Sequence, residues 1–225
     1  MTLAVLIVAA GRGTRLGGDV PKQYLPLAGP CALRRAVDVF LSLDAVAAVL
    51  PVIHADDTDL CADALAGQGD PRLLSPVTGG ATRAASVLRG LEALAPRKPD
   101  RVLIHDGARP FVTPATIRAV TDALDTHPGA CAALPVVDAL WSAPEGMADC
   151  PVSRDGLWRA QTPQGFRFAP ILAAHRVHDG SGAYDVAVAR EAGLAVQLVE
   201  GSEANFKITT RADLARARAL LEQDG

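Results

Sequence analysis

Leu3-Ala4-Val5-Leu6-Ile7-Val8-Ala9 runs without a polar residue into Ala10-Gly11-Arg12-Gly13-Thr14-Arg15-Leu16-Gly17-Gly18. An unbroken apolar run ending in a glycine-rich turn is the pattern of a strand buried on both faces of a parallel sheet. The small residues after it let backbone N–H groups approach an anion closely, as a phosphate cradle requires. A dinucleotide fingerprint needs a third glycine where Leu16 stands, and Pro21 follows soon after, so a Rossmann dehydrogenase is disfavoured; the Walker ending Gly-Lys-Ser/Thr is absent. Arg15 within the loop and Lys22 in Pro21-Lys22-Gln23-Tyr24-Leu25 place two cations beside this backbone nest. They suit a polyphosphate, although a surface turn with a solvated Arg and Lys would read the same way.

Outward from this stretch, short apolar runs recur at Val46–Ile53, Arg101–Ile104, Ala130–Val136 and Ala195–Val199. Helical periodicity separates them at Cys31–Leu43, Asp57–Ala66, Ala84–Ala95, Pro114–Leu124, Pro170–His178 and Arg211–Gln223, with a further short helix from Asp185 to Ala192. Strands alternating with helices predict an α/β fold with a doubly wound, mostly parallel sheet, whose ligands belong at the carboxyl ends of the strands. Residues 1–225 read as a single domain. Val137–Arg154 lacks helical periodicity, carries Pro144, Gly146 and Pro151, and reads as a protruding β-arm.

Composition narrows the function classes. The chain has 225 residues, a formal net charge of −3 and 49% hydrophobic residues, as ordinary globular proteins do. It holds no spanning-length apolar stretch and no basic region ahead of its first apolar run, so a cytoplasmic location without membrane contact is expected. Nothing in its charge predicts a nucleic-acid partner. Cys31, Cys61, Cys131 and Cys150 show no ligand spacing, which predicts reduced thiols. Arginine supplies all but three of the 22 basic residues; the lysines are Lys22, Lys98 and Lys207. In such a chain a lysine marks a place that needs a compact ammonium. Lys98, between prolines in a polar loop, is read as solvated.

Four further clusters carry candidate chemistry. His105-Asp106-Gly107-Ala108-Arg109-Pro110 ends a strand, where a carboxylate can hold Mg²⁺ or a ligand hydroxyl; a packed histidine and a capping aspartate is the alternative. Gly79-Gly80-Ala81-Thr82-Arg83-Ala84-Ala85-Ser86 joins a turn to a helix start and could be simple capping. In Arg154-Asp155-Gly156-Leu157-Trp158-Arg159-Ala160-Gln161-Thr162-Pro163-Gln164, Arg154 and Thr162 are candidates for polar contacts, and Trp158 reads as a core or interface anchor. Glu200–Thr209 brings Lys207 after the last strand. Arg15, Lys22, Arg109, Arg154 and Lys207 are thus expected around one crevice, against the single prominent carboxylate of Asp106.

AAGRGTRLG followed by PKQYL, then GGATRAASV, HDGARP, RDGLWRAQTPQ and NFKIT, in this order and over nearly the whole chain, resembles the 2-C-methyl-D-erythritol 4-phosphate cytidylyltransferases. The resemblance implies a nucleotide-diphospho-sugar transferase fold, a homodimer built through the arm 137–154, and CTP and a polyol phosphate as substrates in the non-mevalonate isoprenoid route. It gives Arg15 and Lys22 the task of stabilising charge at the α-phosphate of CTP, and Arg154 and Lys207 that of positioning the phosphate of methylerythritol phosphate. It puts cytosine against Ala10, Gly11, Gly79 and Gly80 near Ser86, with Gly13 and Asp106 also binding the nucleotide, Asp106, Arg109 and Thr162 beside the substrate, and magnesium riding mainly on the triphosphate. Three positions depart from the family pattern. Asp138-Ala139-Leu140-Trp141 stands where the arm commonly begins Asp-Thr-Val/Ile-Lys, Ala81 replaces an acidic or polar residue, and Ser153 stands where Asp often precedes the Arg. Ribitol-5-phosphate cytidylyltransferases share the fold and mechanism, and a non-catalytic nucleotide-sugar-binding module is the alternative from another class.

Overall fold

A computed structural model describes residues 1–12, 20–180 and 184–223. Its strands are β1 (Leu3–Ala9), β2 (Val46–Ile53), β3 (Val77–Thr78), β4 (Arg101–Asp106), β5 (Gly129–Pro135), β6 (Leu140–Trp141), β7 (Pro151–Val152), β8 (Trp158–Arg167) and β9 (Val196–Glu200). The helices are α1 (Ala32–Leu41), α2 (Thr58–Ala64), α3 (Arg83–Leu94), α4 (Pro114–Ala123), α5 (Phe168–Val177), α6 (Asp185–Glu191) and α7 (Arg211–Gln223). The main sheet runs β3-β2-β1-β4-β8-β5-β9 and is parallel throughout except for β8, which is antiparallel to both β4 and β5.

The alternation of side chains along β1 divides the core. Leu3, Val5 and Ile7 face α1 and α4 through Leu33, Val37, Phe40, Ile117 and Val120. Ala4 and Leu6 face α3, α5 and α6 through Val87, Leu91, Ile171 and Val188. Covering both faces explains why β1 and β4 read as continuous apolar runs. On α3, Gly90 has no room for a side chain: a Cβ there would lie 2.2 Å from Leu6 Cδ1, so the helix packs directly on β1.

The sequence reading missed β8. It placed no strand over Arg154–Gln164, where Pro163 removes a ladder donor and a central strand is unexpected. The strand tolerates it through an irregularity: Gln164 pairs with Cys131 and Ala160 with Ala133, so residues 161–163 oppose one residue of β5. This bulge turns Thr162 toward β4. Trp158, expected as a core or interface anchor, is 44% exposed in the chain and is not a core residue.

Chain order reverses between β1 and β4, since the connection after β1 leads to β2 on one side while β4 lies on the other. The loops at their carboxyl ends therefore splay apart and leave a crevice. The region 137–154 forms a two-stranded antiparallel hairpin of β6 and β7, with Val137, Trp141, Met147 and Val152 exposed. All four cysteines are free thiols. Among the described residues no helix is long and apolar enough to cross a membrane.

Candidate active site

The crevice at the β1/β4 switch encloses about 450 Å³. Ala9 at the end of β1 and Ala10 and Gly11 after it form one wall, Gly80 through Arg83 and Ser86 another, and Lys22, Asp106, Ala108, Lys207 and Thr209 close the rim. One buried side chain braces the first wall. Gln23, 2% exposed, donates from Nε2 to the carbonyls of Ala9 at 2.7 Å and Gly11 at 3.1 Å. It fixes the short 3-10 turn Lys22–Tyr24 against the strand end, and so sets where Lys22 stands. Arg12, which also lines the cavity, donates at 2.7 Å to the buried Asp57.

The second wall owes its closeness to missing side chains. A Cβ on Gly79 would meet Ala10 Cβ at 2.6 Å and Ser86 Oγ at 2.7 Å, and one on Gly80 would meet Ala85 Cβ at 2.5 Å. Ser86 Oγ accepts from Gly80 N–H at 3.0 Å and donates to Thr82 O at 2.9 Å, while Thr82 caps α3 by accepting from Ala85 N–H at 3.1 Å. Gly79 thus lies behind the wall, where it permits close packing, and does not line the cavity as expected. Ala10, Gly11, Gly80 and Ser86 do line it.

Asp106 is the electrostatic centre. Its Oδ2 lies 2.8 Å from Lys207 Nζ and 3.7 Å from Arg109 Nε, and its Oδ1 lies 3.5 Å from Arg83 Nη2. Burial by itself would raise the Asp106 carboxyl, but Lys207, Arg83 and Arg109 outweigh it and hold the group below the ordinary carboxylate range. Three cations thus flank the Asp106 carboxylate within 3.7 Å.

Beneath Asp106 lies a buried chain of hydrogen bonds. Asp106 N–H donates to Thr162 Oγ1 at 3.0 Å, Thr162 Oγ1 lies 3.1 Å from His105 Nδ1, and His105 Nε2 lies 3.0 Å from Arg109 O. A carbonyl only accepts, so His105 Nε2 carries the proton and Nδ1 accepts from the threonine hydroxyl. Burial pushes the His105 pKa down to about 4, in keeping with this neutral ring. Thr162 is fully buried in this chain and supports the strand end from below. Arg109, 6% exposed, donates from Nη1 to Asn205 O at 2.7 Å. Asn205 in turn donates to Thr162 O at 2.8 Å, so the loop carrying Lys207 is stitched to β8.

The expected ring of five cations is only partly assembled. Lys22 and Lys207 line the cavity, and Arg109 stands behind Asp106. Arg154 is exposed on the hairpin, where it donates to Val137 O, and does not join this chain's crevice. Arg15 and Gly13 lie outside the described residues. Arg12, Gln23, His54, Arg83 and Thr209 were not singled out by sequence reasoning, although all but His54 sit inside motifs it had marked.

The family model of 2-C-methyl-D-erythritol 4-phosphate cytidylyltransferase (IspD) matches residues 3–223. The chain belongs to this cytidylyltransferase family. It is 53% identical over 221 residues to the 2-C-methyl-D-erythritol 4-phosphate cytidylyltransferase of Cereibacter sphaeroides strain ATH 2.4.9, covering 98% of this chain and 97% of that one. It is also 53% identical over 222 residues to the bifunctional enzyme IspD/IspF of Paramagnetospirillum magneticum, of which it spans 57%. The crystal structure of 2-C-methyl-D-erythritol 4-phosphate cytidylyltransferase from Thermus thermophilus superposes with a TM-score of 0.79 at 34% identity, covering 99% of this chain and 100% of that one. As a member of the cytidylyltransferase family, this chain is a nucleotidyltransferase of the non-mevalonate isoprenoid pathway.

Proposed function

We propose that the crevice joins CTP to 2-C-methyl-D-erythritol 4-phosphate, giving 4-diphosphocytidyl-2-C-methyl-D-erythritol and pyrophosphate. The observation that carries this reading is the pairing of a backbone-walled slot at Ala10, Gly11 and Gly80 with Lys22 and Lys207 on its rim. A phosphate monoester loses its second proton near pH 6, so the nucleophile is ionised at neutral pH and needs no general base. An oxygen of that phosphate attacks the α-phosphorus of CTP; the new P–O bond forms as the bond to the β-phosphate oxygen breaks, and pyrophosphate leaves with the electron pair. The barrier is anion meeting anion, which fixed cations offset. Lys22 and Arg15 are assigned to the α-phosphate, Lys207 to the substrate phosphate, and Asp106 to a ligand hydroxyl. CTP enters as its magnesium complex, the metal held by triphosphate oxygens.

A second copy of the chain completes this reading. Trp141 and Met147 are 57% and 75% exposed on a two-stranded hairpin, which is marginal without a partner. A two-fold homodimer would cover them and carry Arg154 into the neighbouring crevice. The test of the chemistry is pyrophosphate release with CTP or ATP and either methylerythritol phosphate or ribitol 5-phosphate. The expected result is turnover with CTP and methylerythritol phosphate and little with ATP, since the backbone wall excludes a purine. Equal rates with the two nucleotides overturn the cytidylyl assignment, faster ribitol phosphate turnover overturns the substrate, and no turnover at all favours a binding module.

A further inference from the structure

Asp185 opens α6 with its side chain 1% exposed. Its Oδ2 accepts a 2.7 Å hydrogen bond from Arg83 Nη1, and its Oδ1 lies 3.3 Å from His175 Nε2. Arg83 is the first residue of α3 and lines the crevice, with Nη2 3.5 Å from Asp106 Oδ1. The guanidinium therefore bridges two carboxylates, one in the crevice and one behind it. The ring of Tyr184 lies beside it, 5.4 Å from ring centroid to Cζ.

We propose that Asp185 is a positioning residue for the crevice: it holds Arg83 along the wall and thereby sets the orientation and residual charge of Asp106. The inference rests on the reading of the crevice as a CTP site. Lys207, Arg109 and Arg83 all face Asp106, and the short bond from Arg83 goes to Asp185 while the longer contact goes to Asp106. Arg83 Nε and the buried Nη2 make no hydrogen bond among the described residues, so one charge-assisted bond anchors the guanidinium. With Asp185 neutral, the closest remaining carboxylate is Asp106. Arg83 would close the 3.5 Å gap, compete with Lys207 for the carboxylate and withdraw it from a ligand hydroxyl. The buried pair has a specificity role in this account, because a buried ion pair by itself adds little stability.

A double-mutant cycle on the full-length chain tests this, with kcat and KM for CTP measured for wild type, Asp185→Asn, Arg83→Met and the double variant. Asp185→Asn should raise KM for CTP about tenfold, the scale of one lost charge-assisted hydrogen bond, with a smaller change in kcat. In the Arg83→Met background the same substitution should change that KM by less than about twofold. Equal increases in both backgrounds would show that Asp185 acts independently of Arg83, as through His175, and an unchanged KM in the single variant would show that it has no role; either overturns the proposal. If Asp185→Asn does not fold by circular dichroism, Asp185→Glu replaces it in the same cycle, keeping the charge but moving the carboxylate by one methylene. A wild-type chain that releases no pyrophosphate from CTP refutes the functional reading itself, whereas active wild type with background-independent variants refutes only the role of Asp185.

Discussion

Replacing Thr162 by valine removes one hydroxyl at constant shape, and the structure says what that leaves behind. The Asp106 N–H, which donates to Thr162 Oγ1 at 3.0 Å, and His105 Nδ1, 3.1 Å from it, would both be buried without a partner. Each unsatisfied buried group costs about 1–3 kcal/mol, and the gained methyl returns about 0.8 kcal/mol. The net loss is about 1–5 kcal/mol, or about 2–20 °C in Tm for a chain of this size. Thr162→Ser keeps the hydroxyl and should lose about 1 kcal/mol or less from the missing methyl. Because Asp106 rides on the same backbone N–H, the valine chain should also lose kcat/KM for CTP while the serine chain keeps most of it. Urea unfolding of the three chains at pH 7.5, with parallel pyrophosphate-release kinetics, measures both effects. A valine variant within about 0.5 kcal/mol of wild type, with unaltered kinetics, would refute the hydrogen-bond chain as the support of Asp106.

The His105 pKa of about 4 lies below its ordinary 6.5, so the unfolded chain takes up the proton first as pH falls. Its contribution, about 3 kcal/mol, is present above pH 6.5 and should be lost progressively down to pH 4, which denaturant midpoints at pH 7.5 and 4.5 will read; a His105→Asn chain should show a flatter profile. Lys22 is 9% exposed in the crevice wall, and a compact ammonium and a broad guanidinium place their charge and donors differently, so Lys22→Arg should lower kcat well below wild type despite keeping the charge; wild-type turnover would contradict this. Mixing Arg154→Ala chains with Lys22→Ala chains should recover part of the activity if the arm reaches its neighbour's crevice, and an active monomer in sedimentation at micromolar concentration would rule that out.

The periodicity of the chain was enough to determine the alternating elements. β1, β2 and α7 fall at their expected bounds because unbroken apolar runs and amphipathic turns are local signals. The ligand-bearing edge was legible too, since parallel strands place their loops on one side, and with it Lys22, Lys207 and Asp106. The role of each group was not. β8 was hidden because a proline argues against a strand unless a partner strand supplies a bulge, and that depends on β5, about 30 residues earlier in the sequence. Burial, too, was set by the tertiary structure. Thr162 and Arg109 read as substrate contacts from sequence, yet both are buried beneath the rim, one under the Asp106 backbone and one bonded to Asn205. Arg83 and Asp185 are 102 residues apart, and nothing local joins them. Their contact, and the balance of charge around Asp106, exists only once α3 and α6 pack on the same face of the sheet, because electrostatic partners are set by distance in space and not by spacing along the chain.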